Sequence, residues 1–171
     1  MAKFLSVLLN DEVDSGTTTA TTANKLVNSG QNFLSTVSVG DIIMNTTSDV
    51  SAVVTAIDSN TTLSITPDVM PTGQDYVIYS YIDKTEQLIG IKDAILVKQT
   101  GTISATITMS SGSASGDVIT IAHTPIAATS VSVRQAIQNA LLKANDKKHE
   151  PEVKIKLEMP TGVIPFGISI G

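Results

Sequence analysis

Apolar residues between positions 40 and 82 occur in short bursts that alternate with clusters of polar turn-forming residues. The largely apolar run 50–57 is preceded by Asn45–Asp49 and followed by Asp58–Thr62. Both flanking clusters consist of Asn, Asp, Ser and Thr. These residues bond their own backbone or tolerate the left-handed region, so they favour tight turns. Short strands about ten residues apart are typical of a small antiparallel barrel or sandwich. We predict strands at 3–9, 40–44, 50–57, from Thr62 to a stop near Pro67, and 75–82.

The second half carries the one convincing helical pattern. Ser132 precedes Gln135 by three residues, which is the spacing of a capping box. Apolar residues then recur at helical spacing and predict a helix over 132–145 with one buried stripe. The surrounding alternation predicts strands, and a Gly/Ser-rich hairpin loop falls at 110–116. The predicted strands are 88–99, 102–109, 117–123, 152–159 and 163–170.

The predicted fold class is mainly β with one helix, in two parts. Residues 1–85 form an all-β module, a small antiparallel β-barrel or sandwich, with an acidic loop or arm at 10–24. Residues 86–171 form an α+β unit of β-β-α-β-β type, in which the helix crosses an antiparallel sheet.

Composition restricts the partners of the chain. The 171 residues include no Cys and no Trp, which excludes disulfides, cysteine zinc sites and thiol catalysis. The formal net charge is −5, and residues 1–85 hold three Lys against nine acids, so we expect no nucleic-acid partner. No apolar run approaches the roughly 20 residues that a membrane-spanning helix needs, so we expect no membrane partner.

Reactive patterns are sparse. No G-x-S-x-G occurs, and neither His123 nor His149 has a second His at i, i+4, so we predict no enzyme and no cofactor. Asp11, Glu12 and Asp14 lie close together before Gly16, and neighbouring carboxylates are ligands that Ca²⁺ accepts. A solvated acidic loop is the alternative for these three acids.

Two further groups have alternative interpretations. Lys147 and Lys148 belong to a stretch of mixed charge, which is typical of a solvated face and would also suit contact with an acidic neighbouring subunit. Tyr76, Tyr79 and Tyr81 fall on one predicted strand, where they serve either core and interface packing or a sugar-binding platform.

Residues 32–79 carry a pattern that resembles a module of virion proteins from tailed bacteriophages. The run reads Val-x-x-Gly-Asp, an Asn-Thr-Thr turn, Ala-x-Val-x-x-Ile, "SNTTLSI" and Gly-x-x-Tyr-x-Ile. The resemblance assigns turn and module roles rather than chemistry to the matching positions. Those positions are Gly40, Asp41, Asn45, Thr61, Thr62, Gly73 and Tyr76.

The resemblance implies a non-enzymatic structural protein of the virion, assembled in the host cytoplasm. We expect a capsid auxiliary protein, of the decoration or cement type, that stabilises the shell by bridging subunits of the major capsid protein. Because a small open sheet leaves edge strands unpaired, we also expect a homo-oligomer, as a trimer. A tail, neck or fibre-adaptor protein is the alternative, followed by a receptor- or carbohydrate-binding module.

Overall fold

The computed structural model describes residues 2–110, 117–147 and 150–171. The described part of the chain is mainly β, with 52% of its residues in strands, 12% in helices and one helix of seven residues or more. This confirms the predicted mainly β chain with one helix. The strands form two sheets, and within the described ranges neither sheet closes into a barrel, so the predicted barrel is wrong.

The elements follow one another in an order dominated by strands. Within the described ranges two helices interrupt them, a single turn α1 and the long helix α2. The bounds are β1 Ala2–Thr17, β2 Lys25–Val27, α1 Phe33–Thr36, β3 Ile42–Asn45, β4 Val50–Ser59, β5 Thr62–Thr66, β6 Asp75–Gly90, β7 Ala94–Gln99, β8 Ser104–Met109, β9 Val118–His123, α2 Ser132–Asp146, β10 Glu152–Lys156 and β11 Pro165–Ile170.

The chain divides into two compact units. One is Asn10–Lys84, here called the inner unit because it is the inner part of the sequence, and the other combines the flanking parts Met1–Leu9 and Thr85–Gly171 and is called the outer unit. Strands β1 and β6 each contribute one part to each unit. The predicted division at residue 85 therefore differs from the structure at residues 2–9, which belong to the outer unit and of which Ala2–Ser6 pair with β10.

The first strand is longer than predicted. Residues 10–17, expected as part of an acidic loop or arm at 10–24, continue β1, and that part of the prediction is wrong. Polar side chains hold this stretch in place. Asn10 Nδ2 donates to the carbonyl of Ser80 at 2.7 Å, and Thr17 Oγ1 lies 2.6 Å from Asp75 Oδ1.

The inner unit contains the strand order β1-β6-β3-β4-β5-β2. The pairs from β6 to β2 are antiparallel, as predicted for this half. Its core lies between one face of the sheet and the segments around α1, where Phe33 is fully buried. The buried residues are Leu26, Phe33, Val37, Ile43, Ala52, Val54, Leu63, Ile65, Met70, Tyr76 and Ile78.

The outer unit contains an antiparallel sheet of order β11-β9-β8-β7 and the strand sequence β10-β1-β6. Strand β10 is parallel to β1, with Ala2 opposite Glu152 and Ser6 opposite Lys156. The predicted β-β-α-β-β unit is not confirmed, because the sheet has three strands before α2 and β10 pairs with β1.

A polar row joins the three neighbouring strands β1, β6 and β10 of the outer unit. Ser6 Oγ donates a short hydrogen bond to Glu86, and Lys154 Nζ contacts the same carboxylate at 2.7 Å. The hydrogen bond from Lys154, followed by the one from Ser6, lowers the pKa of Glu86. The predicted strands left a gap at residues 83–87, between 75–82 and 88–99. In the structure β6 runs through these residues as a continuous strand.

Helix α2 extends one residue beyond its predicted end. Val133, Ile137, Ala140 and Ala144 form its buried stripe, as the spacing indicated. The predicted capping box is wrong. Val131 occupies the N-cap position without a side-chain bond, and the N–H of Ser132 instead donates to Ser130 Oγ at 3.3 Å.

The predicted strand 88–99 is divided in two. Strand β6 ends at Gly90, β7 begins at Ala94, and the N–H of Ala94 bonds the carbonyl of Ile91 across the turn at 3.3 Å. Most of the predicted hairpin loop at 110–116 lies outside the described residues, since the description stops at Ser110 and resumes at Asp117.

Candidate functional site

Gly40 and Asp41 form a clamp at the start of β3. Gly40 has a φ of +99°, a conformation that glycine adopts without a Cβ penalty. The Asp41 side chain is buried and accepts two backbone hydrogen bonds, from Ser38 N–H at 2.8 Å and Tyr81 N–H at 3.0 Å. Its carbonyl also accepts from Val54 N–H at 2.9 Å. This carboxylate therefore connects the turn before β3 to strand β6.

Asn45 organises the next turn. Its side chain is fully buried, and its Oδ1 accepts from the N–H groups of Thr47 and Ser48 at 3.0 and 3.1 Å. Its Nδ2 donates to the carbonyl of Val69 at 2.8 Å. Such a side chain replaces backbone partners inside a turn, so Asn45 has a structural role here.

Thr61, Thr62 and Gly73 also lie at chain reversals. The N–H of Thr61 bonds Ser59 Oγ at 3.2 Å, and Thr62 begins β5 opposite Val27. Gly73 has a φ of +75° and donates its N–H to the carbonyl of Thr18 at 2.9 Å. Thr61 and Gly73 therefore lie in turns, and Thr62 is the first residue of a strand.

Tyr76 lies in the core of the inner unit rather than on its surface. Its hydroxyl accepts a hydrogen bond from Asn28 Nδ2 at 3.0 Å, and its ring centroid lies 6.4 Å from that of Phe33. Burial raises the pKa of Tyr76. Tyr79 is half-buried and Tyr81 is exposed, with Lys84 Nζ 5.6 Å from the Tyr81 ring centroid. The three rings therefore do not form one exposed platform.

The acidic candidates Asp11, Glu12 and Asp14 are part of β1, not of a loop. Successive side chains of a strand point to opposite faces, which separates Asp11 from Glu12. Asp14 Oδ2 accepts a hydrogen bond from Thr36 Oγ1 at 2.6 Å. In the part of the chain that the structure describes, no group of three His, Cys, Asp or Glu residues is arranged to hold a metal ion.

A buried polar cluster surrounds His123, which the sequence did not single out beyond its position at a strand end. Gln99 Nε2 lies 2.8 Å from the carbonyl of Ser104 and 3.1 Å from His123 Nε2, while His123 Nδ1 lies 2.8 Å from the carbonyl of Thr124. Gln99 Oε1 accepts from the N–H of Arg134 at 3.3 Å.

These contacts assign the tautomer of His123. The carbonyl of Thr124 can only accept, so His123 Nδ1 carries the hydrogen, and Nε2 of the neutral ring is the acceptor that faces Gln99 Nε2. Desolvation by burial lowers the pKa of His123, against a smaller opposing effect of the bond to Thr124. Both ring nitrogens are occupied, and the ring links β7 and β9 beside the first turn of α2.

The basic pair proposed for a subunit contact is only half described. Lys147 Nζ forms an exposed ion pair with Glu150 at 3.1 Å, which suits the solvated face that the mixed charges indicated. Lys148 lies outside the described residues.

Large aliphatic side chains are exposed at both edges of the four-stranded sheet in the outer unit. Ile95 and Leu96 on β7 are 67% and 55% exposed, and Ile170 on β11 is 73% exposed. Edge strands with exposed apolar side chains are templates for association with another chain. No motif predicted these positions as functional, although their aliphatic character was visible in the sequence.

Comparison with known proteins identified no relative of this chain. No family model matches the chain, and neither a curated protein nor a solved structure is similar to it at a significant level. Among the described residues, no helix has the length and apolar content needed to cross a membrane.

Proposed function

We propose that this chain is a non-enzymatic structural protein of a tailed-bacteriophage virion, acting as a capsid auxiliary protein of the decoration or cement type. It stabilises the shell by bridging subunits of the major capsid protein. A ligand that binds only the assembled state raises the free energy needed to disassemble it.

The observation that carries this proposal is the pair of apolar edges on the outer unit's sheet. Ile95 and Leu96 on β7 and Ile170 on β11 present aliphatic surface beside backbone that the sheet itself does not pair. The module residues Asp41 and Asn45, in contrast, direct their polar side-chain groups to the backbone of this chain. Asp41 and Asn45 hold backbone N–H groups of this chain, which supports a rigid scaffold whose function is contact.

The proposed assembly is a homotrimer, in which the copies meet at their β7 edges and leave the β11 edges free. Light scattering coupled to size exclusion should give three times the chain mass of 17.9 kDa. The double variant Ile95→Lys, Leu96→Lys should elute as a monomer, because a charged edge no longer pairs. Thr55→Lys, an exposed position on the interior strand β4, is the control and should remain trimeric. A monomeric native chain, or a trimeric double variant, would contradict this assembly.

The role on the shell is tested with phage particles made with and without the protein. Particles that lack it should assemble and then release DNA at a lower temperature, and adding the purified chain should restore the higher temperature. Equal release temperatures would exclude the capsid role. A tail, neck or fibre-adaptor protein would use the same edges, and labelled antibody on intact particles separates the two locations.

A further inference from the structure

A groove in the surface of the outer unit is lined by residues of its core. The groove has a volume of about 430 Å³. Among its lining residues Ile89 and Ile119 are buried, whereas Leu88 is 50% exposed and Ile170 is 73% exposed. The aliphatic residues that line it are Leu88, Ile89, Ile119, Ile168 and Ile170.

One wall of the groove is strand β11, which lies at the edge of its sheet. Gly171 and Val118 exchange two backbone hydrogen bonds of 3.0 Å, so this residue pair is of the hydrogen-bonded type. Hydrogen-bonded and non-bonded pairs alternate along an antiparallel ladder. Ile168 and Ile170 therefore direct their N–H and C=O groups away from β9, to the side where no strand lies within the described ranges.

The same two residues thus present both elements that a strand-binding site needs. Their side chains line the groove, and their backbone groups are oriented toward an incoming strand. An extended segment added beside β11 would make main-chain hydrogen bonds to Ile168 and Ile170. Its alternate side chains would then lie over the groove, since side chains of a strand alternate between the faces.

The charges at the groove select among such segments. Asp93 and Asp117 line it, and among the described residues that line it none is Lys or Arg. A segment that brought acidic side chains here would meet like charge, whereas Lys or Arg would find carboxylates.

We infer that this groove binds an extended segment of a neighbouring subunit, in which an aliphatic side chain is flanked by Lys or Arg. The segment adds to the edge of β11, places its aliphatic side chain against Leu88 and Ile170, and directs its cations to Asp93 and Asp117. This inference deepens the proposed function and rests on it only for the statement that the segment belongs to a neighbouring virion subunit.

The probe is a fluorescent, acetylated peptide Lys-Val-Lys-Ile-Lys-Val-Lys, titrated with the full chain and followed by anisotropy at low salt. We expect saturable binding. An analogue with Glu in place of every Lys should bind at least tenfold more weakly. A Lys peptide methylated on the amide nitrogens of its three aliphatic residues should also lose at least tenfold in affinity, because it cannot pair with the strand.

Variants of the protein localise the binding. Ile170→Asp should weaken it at least tenfold, and the double variant Asp93→Asn, Asp117→Asn should weaken it severalfold and reduce its salt dependence. Asp68→Asn, an exposed acid of the inner unit, is the control and should bind as the native chain does. Circular dichroism verifies that each variant is folded.

Three results would overturn the inference: equal binding of the Lys and Glu peptides, full affinity of Ile170→Asp, or no binding of the Lys peptide. A native chain that self-associates through this edge, lost in Ile170→Asp while the peptide fails to bind, would assign the groove to a second copy and also overturn it. The peptide assay contains no virion. Peptide binding without any effect on particles would therefore contradict only the proposed function, and particle stabilisation without peptide binding only this inference.

Discussion

The carboxylate of Asp41 accepts the backbone N–H of Tyr81 at 3.0 Å and thereby joins residues from two strands that are far apart in the sequence. Tyr81 lies just beyond the last residue of β6 that pairs with β3, which is Tyr79. Asp41 therefore continues the contact between these strands where their backbone ladder stops.

Replacing Asp41 tests this clamp. Asp41→Ala leaves two N–H groups without acceptors, and each such loss costs about 1–3 kcal/mol, so we expect the free energy of unfolding to fall by about 2–5 kcal/mol. Asp41→Asn keeps one acceptor and should cost about 1–3 kcal/mol. Urea denaturation measures both, with the exposed Asp68→Asn expected within about 0.5 kcal/mol of the native chain. A loss for Asp41→Ala no larger than that of Asp68→Asn would refute the clamp.

Gly40 is required for its conformation rather than for space. A Cβ at Gly40 would meet no heavy atom within 4 Å, but its φ of +99° is strained for any other residue. Gly40→Ala should lower the free energy of unfolding by about 1–2 kcal/mol. The control in the same unit is Gly30→Ala, where the backbone is not in this region and the nearest atom is an ordinary 3.6 Å away. Equal stabilities of the two variants in thermal and urea unfolding would contradict the claim that the positive φ at residue 40 requires glycine.

The hydroxyl of Tyr76 stabilises the inner unit by satisfying Asn28. Tyr76→Phe keeps the ring against Phe33 but removes the acceptor of the buried Asn28 Nδ2, so we expect a loss of about 1–2 kcal/mol. Tyr81→Phe, whose ring is exposed, serves as the matched control and should be neutral within about 0.5 kcal/mol. Denaturation followed by tyrosine fluorescence or circular dichroism compares the two.

Stability should depend on pH through His123. In the unfolded chain its pKa is near the ordinary value of about 6.5, and burial lowers the pKa in the folded chain. As pH falls below about 6.5, the unfolded state binds the proton first, so the free energy of unfolding decreases; above that pH the contribution is complete. Protonation would also oppose the hydrogen bond that Gln99 donates.

The check is to measure the free energy of unfolding by denaturant titration, followed by circular dichroism, between pH 5 and pH 8. His123→Gln should flatten the decrease on the acidic side, whatever its effect on stability at pH 8. His149→Gln, which keeps His123, should retain the decrease. If the native chain and His123→Gln show the same slope, His123 does not carry the pH dependence.

Local patterns predicted the local features of the fold. The Asp-Ser-Asn-Thr-Thr cluster and the glycines at 40 and 73 indicated turns because their conformational preferences act within a few residues. The stripe from Val133 to Ala144 indicated the buried face of α2 for the same reason. The roles of Asp41 and Asn45 in turns are of this kind too.

Features that depend on distant residues were missed. Residues 81–88 of β6 are exposed on both faces, so they lack the alternation that marks a strand. The parallel pairing of β1 with β10 joins opposite ends of the chain and has no local signature. The contacts of His123 with Gln99, and the edge exposure of Ile95 and Ile170, likewise arise only when separate segments meet.

The pairing of Ala2–Ser6 with Glu152–Lys156 has a consequence for the order of synthesis. On the ribosome, all of Asn10–Lys84 emerges before the partner of the first strand has been translated. The inner unit is then free to fold early, while the first strand lacks its β10 neighbour until nearly the whole polypeptide has been made. A nascent chain stalled after residue 140 exposes all of Asn10–Lys84 outside the ribosome but lacks β10, so it should protect the inner unit from protease and leave residues 2–9 more open to attack than in the full chain.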